Sequence, residues 1–315
     1  MNQILGRSRV RDTLLWFIAL TSLSASALHA QDGTDSSPHT VQFVTVGNGV
    51  KLEVLDWGGA GRPLIFLAGM GNTAHVFDNF APKFAAKYHV YGITRRGFGT
   101  SSQPAPTVGN YSARRLGDDV IAVMNALRLT RPVLVGHSVA GEELSSVGSR
   151  YPGNVAGLIY LDAGYGYAYY DRAHGDVWLD LIDVRKKIDQ LQAGTGRDQR
   201  QLWQGMLTDV SHLDKALREA TMEMASMPHP RNLPPIPTAI QFGAEKYTEI
   251  HVPILAFFAL PQVFDAHTSE QADAFEAGLP SAHIIRLQNA DHFVFNSNEA
   301  EVSREMNAFL TKLQW

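Results

Sequence analysis

The chain has 315 residues, of which 45% are hydrophobic and 18% charged, and its formal net charge is −4. This length provides one large α/β domain with an insertion, or two small domains. The charge favours neither nucleic acid nor an anionic membrane as a partner, and the absence of cysteine excludes disulfides, a cysteine nucleophile and thiolate metal sites.

The first 30 residues have the pattern of a secretory signal peptide. Three arginines precede an apolar run from Leu14 to Leu28, and small residues follow. A membrane span is the alternative, but the run is shorter than the roughly twenty residues that a span requires. Removing residues 1–30 takes away three arginines and one aspartate, so the net charge moves from −4 to −6. We expect a secreted or periplasmic protein that keeps no stable membrane anchor.

Strand-like and helix-like segments alternate along the next part of the chain. Apolar or alternating patterns predict strands at residues 41–46, 50–57, 63–68, 90–94, 133–135 and 155–161. Apolar residues at helical spacing predict helices at residues 73–86, 112–129 and 139–150. The first two strands are joined by Gly47-Asn48-Gly49, a hairpin sequence. This alternation predicts an α/β fold with a doubly wound, mostly parallel sheet that helices cover on both faces.

The strand pattern stops between residues 165 and 250. Helices are predicted there at residues 177–191, 197–207 and 213–227, before a proline-rich turn at 228–237. Strands resume at 253–260 and 283–287, and the last predicted helix covers 299–313. We therefore predict a helical lid at residues 165–250, inserted into a core of residues 31–164 and 251–315.

The predicted lid carries a group of aromatic residues and methionines. They are Tyr165, Tyr167, Tyr169, Tyr170, Trp178, Met222, Met224 and Met227. Two interpretations remain open: these side chains line an apolar pocket for the acyl or alcohol part of a substrate, or they pack the lid against the core.

A serine stands at a sharp turn between a predicted strand and a predicted helix. The apolar run 132–135 leads into Gly136-His137-Ser138-Val139-Ala140-Gly141, whose small residues let the chain reverse. Such a corner pushes the Ser138 hydroxyl out of the sheet and leaves the Val139 N–H free at a helix N-terminus, where a developing oxyanion can be held. This is the physics of a nucleophile elbow, whose usual form is G-x-S-x-G. Ala140 stands at the last glycine, and an ordinary turn is the alternative.

A second glycine-rich turn follows the strand predicted at 63–68. It reads Gly69-Met70-Gly71-Asn72 and opens a predicted helix. In an acyl-transfer enzyme, the N–H of Met70 would join that of Val139 in an oxyanion hole. A plain turn between strand and helix is the alternative.

The candidate base and acid come later in the chain. His292 follows the last predicted strand and precedes the last helix, where a general base can reach a serine across the top of the sheet. A base histidine needs a carboxylate partner, and two are possible. Asp265 comes a little late after the strand predicted at 253–260, and Asp162 ends an otherwise apolar strand. We favour Asp162, because a carboxylate there needs a polar partner close by.

The order Ser138, acid, His292 resembles the α/β-hydrolase fold superfamily over roughly residues 41–313. The loop 94–101 also resembles that family's Asp-x-Arg-Gly-x-Gly-x-Ser loop, with Thr94 where an aspartate is usual. Ala68 replaces a common histidine, Ala140 replaces the elbow glycine, and the usual acid site after the penultimate strand is empty. The last difference adds weight to Asp162, since some lidded members place the acid after the earlier strand.

The resemblance implies a serine carboxylester hydrolase with a helical lid, acting on a small-molecule ester. Haloalkane dehalogenases and epoxide hydrolases of this superfamily attack with an elbow aspartate. The serine at position 138 therefore argues against those two reactions here. The alternatives are a proline-releasing aminopeptidase, with lid carboxylates such as Asp176, Asp180 and Asp183 binding the amine, and a non-catalytic protein that binds a small apolar ligand.

No metal or nucleotide motif occurs, so we expect no cofactor and no metal. The pair Glu142-Glu143 reads as favourable charge in a first helical turn.

Overall fold

The structure is a computed structural model that describes residues 38–173, 175–194, 199–223, 234–260 and 266–314. The predicted signal peptide and Asp265 lie outside these ranges. Across them, no helix is long and apolar enough to cross a membrane. The chain divides into two compact units, one formed within residues 171–233 and the other within 29–170 and 234–315.

The larger unit is built on one sheet of eight strands. They are β1 (Thr40–Thr45), β2 (Lys51–Gly58), β3 (Arg62–Leu67), β4 (Tyr88–Ile93), β5 (Val133–His137), β6 (Gly157–Leu161), β7 (Ile254–Leu260) and β8 (Ala282–Gln288). Their order across the sheet is β1-β2-β4-β3-β5-β6-β7-β8. Strands β1 and β2 pair antiparallel, as do β2 and β4, and all other pairs are parallel. The predicted fold class is therefore confirmed.

The central strands are apolar throughout because both faces of the sheet are covered. Every residue of β5, β6 and β7 is buried. Side chains alternate between two hydrophobic clusters: Leu134 lies in one, and its neighbours Val133 and Val135 lie in the other. This alternation is the period of two that a strand imposes, with a separate core on each face.

The described helices agree with several of the predicted ones and differ from others. The described helices are α1 (Val108–Tyr111), α2 (Ala113–Ala126), α3 (Ala140–Arg150), α4 (Val177–Gln192), α5 (Gln199–Glu223), α6 (Pro235–Phe242), α7 (Ala266–Gly278), α8 (Val294–Ser297) and α9 (Glu299–Lys312). Helix α5 is one continuous helix where two were predicted. Helix α6 begins inside the predicted proline-rich turn, and α7 was not predicted.

The helix predicted at residues 73–86 is replaced by two short 3-10 turns, Ala74–Phe77 and Ala81–Phe84. Pro82 stands at the start of the second turn, and a proline disfavours helical conformation at the residue before it and donates no N–H. The phenylalanines that produced the helical spacing are still buried, so the apolar pattern located the inner face correctly.

The smaller unit contains α4 and α5. The Asp176 side chain accepts a hydrogen bond from the Leu179 N–H at 3.0 Å and so caps the start of α4. Lys187 of α4 forms an ion pair with Asp209 of α5, which ties the two helices together. Residues 165–170 and 234–250, predicted as part of the lid, group with the larger unit instead.

A cluster of charged side chains connects β2 with the turn at Ala74–Phe77. The Thr94 hydroxyl donates to Glu53 at 2.6 Å, and His75 contacts Asp78 at 2.8 Å and Glu53 at 3.9 Å. Asp78 and then Glu53 raise the pKa of His75 from 6.5 to about 10. His75 in turn lowers the pKa of Glu53 from 4.5 to about 2. Thus Glu53 supplies a carboxylate beside Thr94, the position where an aspartate was expected.

We expect His75→Gln to lower the melting temperature, most strongly below pH 6.5. A histidine whose pKa is raised on folding stabilises the protein fully below its unfolded pKa, and that contribution is lost as the pH rises through about 10. Thermal unfolding of both proteins between pH 5 and pH 10 measures this. Replacing the exposed His283 in the same way should change little at any pH. A deficit for His75→Gln that stays constant over this range would contradict the expectation.

Candidate active site

Ser138 lies in the turn between β5 and α3, as predicted for an elbow. Its φ angle is 55°, a left-handed conformation that residues other than glycine seldom adopt. A side chain at Gly136 would meet Leu144 at 2.9 Å, so this glycine lets the turn pack against α3. Ser138 is 2% exposed, and its N–H donates to the Leu161 carbonyl at 3.3 Å. The surrounding packing therefore holds a strained backbone at this position.

The turn that carries Met70 lies directly against this serine. A side chain added at Gly69 would stand 3.1 Å from the Ser138 Cβ and 2.8 Å from the His137 Nδ1. Only glycine allows this approach, which brings the Met70 turn beside Val139 at the start of α3. N–H groups in the first turn of a helix have no carbonyl partner within that helix. The two residues predicted for an oxyanion hole are thus brought together around Ser138.

A buried arginine fixes the position of the Met70 turn. Arg95 donates to the carbonyls of Ala68 at 2.8 Å and Gly69 at 3.4 Å. The same guanidinium binds the Glu143 carboxylate through two hydrogen bonds, at 2.6 and 2.9 Å. Because Glu143 belongs to α3, this ion pair sets the distance between the Met70 turn and the helix that begins after Ser138.

His292 and Asp162 form a hydrogen bond. The His292 Nδ1 lies 2.7 Å from the Asp162 Oδ2, and the other carboxylate oxygen accepts the Ala259 N–H at 2.9 Å. Asp162 is 2% exposed and has a φ of 46°, so its carboxylate is aimed by a second strained turn, at the end of β6. The buried carboxylate thus has the polar partner that the sequence required, and with Nδ1 bound to Asp162 the nitrogen that proton transfer would use is Nε2.

His137 places the His292 ring next to the elbow. Its ring centroid lies 4.6 Å from that of His292, and its Nε2 is 2.9 Å from the His292 carbonyl oxygen. A carbonyl only accepts hydrogen bonds, so Nε2 of His137 carries the proton and donates. Burial, and then the charge of His292, lower the pKa of His137 well below its usual value. His137 directly precedes Ser138 in the chain. A neutral His137 therefore holds the backbone of His292 beside the elbow.

The remaining candidates are placed differently. The Asp176 carboxylate caps α4, and Asp180 is buried. These two carboxylates are therefore not the plain helix-surface charges that were considered for binding an amine. Glu142 and Glu143 lie in the first turn of α3, as predicted, and both are only 3% exposed. The sequence did not indicate that burial; the Glu143 carboxylate binds Arg95, which stands in the loop that resembles a family motif. No three His, Asp or Glu side chains of the described ranges are grouped to hold a metal ion.

Comparisons with known proteins bear on the family and the fold of this chain. A family model described as the alpha/beta hydrolase family matches residues 64–305. The fluoroacetate dehalogenase of a Burkholderia species is 34% identical over 116 residues, which make up 36% of this chain and 38% of that protein. Epoxide hydrolase A of Mycobacterium tuberculosis is 36% identical over 92 residues, covering 29% of this chain and 28% of the relative. The chain thus spans well under half the length of these curated relatives.

Solved structures match over a much longer part of the chain. An esterase from Exiguobacterium antarcticum superposes with a TM-score of 0.59, covering 87% of this chain and 100% of the other, at 17% sequence identity. At that level of identity the likeness establishes the fold and leaves the reaction to the residues of the site.

We expect Glu143→Ala to lower the free energy of unfolding by about 3–5 kcal/mol, because it leaves the buried Arg95 charge without its partner. Urea denaturation measures the loss. The matched control is Glu299→Ala, which removes an ion pair with Lys83 at 2.9 Å whose side chains are 46% and 44% exposed. That control should cost about 0–1 kcal/mol. Equal losses in the two variants would show that the buried Arg95–Glu143 pair stabilises the protein no more than an exposed ion pair does.

Proposed function

This chain belongs to the alpha/beta hydrolase family, and from that premise we propose that it is a serine hydrolase that cleaves carboxylic esters of small, largely apolar substrates through an acyl-enzyme intermediate. One observation carries the proposal: a carboxylate and an imidazole joined at 2.7 Å stand beside a strained serine turn. Serine, histidine and aspartate are the groups that acyl transfer needs, and here they come from the carboxyl ends of β5, β6 and β8.

In the proposed reaction, the Ser138 hydroxyl attacks the ester carbonyl and His292 takes its proton. The carbon–oxygen bond to the alcohol then breaks, and the alcohol leaves with the proton from His292. Water repeats the sequence on the acyl-serine, releasing the acid and restoring Ser138. Asp162 keeps the proton of Nδ1 on His292 and stabilises the imidazolium that forms twice in the cycle.

The oxyanion of each tetrahedral intermediate is assigned to the backbone N–H groups of Met70 and Val139. Such donors contribute about 3–4 kcal/mol each when they are fixed before the reaction. The Arg95 ion pair supports this assignment, because it restrains the turn that carries Met70 without using either N–H group.

The identity of the elbow residue separates this proposal from the named relatives. The resemblance implies an attacking aspartate at the elbow of haloalkane dehalogenases and epoxide hydrolases, whereas this chain has Ser138 there. We also propose that the substrate is a small-molecule ester, and that residues 1–30 direct the protein to the periplasm or the outside of the cell.

Ser138→Ala should reduce hydrolysis of a short p-nitrophenyl ester by at least about 10³-fold and leave the circular dichroism spectrum unchanged, because only the nucleophile is removed. The rate of p-nitrophenol release measures the effect. Ser149→Ala is the control, since Ser149 lies at the far end of α3 and bonds the Glu249 carbonyl at 2.8 Å. Retention of the full rate by Ser138→Ala would overturn the proposal. Failure of a fluorophosphonate to label Ser138 would favour a non-catalytic binding protein.

Asp162→Asn should lower kcat by about 10³–10⁴-fold, because an amide cannot stabilise the imidazolium and favours the wrong tautomer of His292. Asp265→Asn should remain near the wild-type rate. Steady-state kinetics of both variants on the same ester decide between the two acids. A large loss with Asp265→Asn and a small one with Asp162→Asn would reverse the assignment.

A further inference from the structure

A small hydrophobic cluster surrounds Val139, the residue that directly follows Ser138. Its buried part joins Val139 to residues of α1, α2 and α6. Met70, Phe98 and Ile236 pack against this buried part and are themselves only partly buried. These three side chains form the apolar patch. The two residues assigned to the oxyanion hole, Met70 and Val139, therefore also place their side chains in one apolar cluster.

The apolar patch lies within reach of Ser138. Gly69, which precedes Met70, is so close to the elbow that an added side chain would stand 3.1 Å from the Ser138 Cβ. The Arg95 guanidinium bonds the Gly69 carbonyl at 3.4 Å and lies 6.0 Å from the centre of the Phe98 ring. Phe98 is therefore held near the turn that carries Met70.

Ile236 completes the patch from α6. A side chain added at Gly97 would stand 2.9 Å from the Ile236 Cγ2 and 2.8 Å from the Tyr111 ring, so the loop after β4 touches both residues. At the start of α2, the Ala113 N–H donates to the carbonyl of Gly243, just after α6, at 3.1 Å. Helix α6 is thus fixed against α2 and against the loop that carries the second residue of the patch.

The patch and the imidazole lie on different sides of Ser138 along the sheet. Strand β5 leads into the elbow, and β3 and β4 lie on one side of it, with β6, β7 and β8 on the other. Met70 follows β3 and Phe98 follows β4, whereas His292 follows β8. The sheet order therefore separates the patch from the general base.

The two groups also approach from different faces of the sheet. Leu116 of α2 belongs to the cluster around Val139, and Val120, one turn further along α2, packs in the core on that face. Val294, two residues after His292, packs in the core on the opposite face. An ester bound at the elbow must turn its leaving oxygen towards the imidazole, which supplies the proton. The acyl part is the part left to face the patch.

The two arginines in the loop that carries Phe98 are already paired. Arg95 bonds Glu143 at 2.6 and 2.9 Å, and Arg96 bonds Asp119 at 2.6 and 2.7 Å. Both guanidiniums are thus taken up by carboxylates of α2 and α3. A carboxylate on the acyl group would lose its water here without gaining either arginine as a partner, which is unfavourable.

We propose that Met70, Phe98 and Ile236 form the surface that binds the acyl part of the ester, and that they select uncharged, apolar acyl groups. This inference rests on the proposed serine hydrolase function. Ser138 Oγ bonds the acyl carbon, and the bond to the alcohol oxygen then breaks. That oxygen leaves with the electron pair of the bond and with the proton from His292. The acyl chain stays against the patch until water releases the acid, and each methylene in contact removes apolar area from water.

The test compares kcat/KM along two ester series. The acyl series is p-nitrophenyl acetate, butyrate and hexanoate, and the alcohol series is ethyl, butyl and hexyl acetate. In Ile236→Trp, the ratio of hexanoate to acetate should fall at least about 10-fold, because the larger side chain takes the space of the acyl chain. Ile236→Thr loses apolar contact but stays β-branched, so the same ratio should fall about 3–10-fold. Ratios along the alcohol series should stay within about twofold of wild type.

The matched control is Ile121→Thr, which changes a partly buried isoleucine that packs against the core farther along α2. Both sets of ratios should remain as in the wild-type protein. Each ratio compares substrates on one preparation, so a partial loss of folded enzyme cancels. A shift along the alcohol series in place of the acyl series, or no shift in either, would overturn the role of the patch.

The selection against charge is tested on the wild-type protein. Monoethyl succinate should be cleaved at least about 10-fold more slowly than ethyl butyrate, because its carboxylate finds no arginine partner in this loop. Equal rates would overturn the selection for uncharged acyl groups. Fluorophosphonate labelling of Ser138 separates the two levels: labelling with unchanged acyl ratios overturns this inference alone, and absence of labelling overturns the proposed function with it.

Discussion

The buried ion pair between Arg95 and Glu143 is the interaction on which the candidate site depends. One guanidinium bonds the Glu143 carboxylate of α3 and the carbonyls of Ala68 and Gly69. It therefore holds the loop after β3 and the helix after β5 at a fixed separation. An ion pair is an expensive way to join two elements, because both charges must leave water. The geometry of the pair is rigid. Backbone N–H groups that bind an oxyanion need fixed positions more than they need a large contribution to the stability of the protein.

Two strained turns take their form from the sheet. Ser138 and Asp162 both have positive φ angles, and they end the neighbouring strands β5 and β6. The Ser138 N–H reaches across to Leu161, the last residue of β6, so each turn is held by the ladder of its neighbour. Parallel strands buried on both faces leave such turns little room to relax, so the candidate nucleophile and acid are held in fixed positions.

Much of this arrangement follows from the sequence, and the limits have physical causes. The strands around Ser138 are continuous apolar runs, which need burial on both faces and so predict the parallel sheet. The helix predicted at 73–86 failed because apolar spacing does not register the effect of Pro82. Glu143 was assigned only a favourable charge in the first turn of a helix, because its partner, Arg95, is distant in the chain. Asp162 was favoured over Asp265 by its apolar setting and by the family resemblance, because its contact with His292 joins residues 130 positions apart in the chain.

The position of His292 after β8 also has a consequence for biosynthesis. A growing chain exposes the elbow serine long before the ribosome has made the imidazole that would activate it. With the proposed chemistry, the nascent polypeptide stays inert until its last strand joins the sheet edge and delivers that ring. Turnover would then begin only when folding is complete.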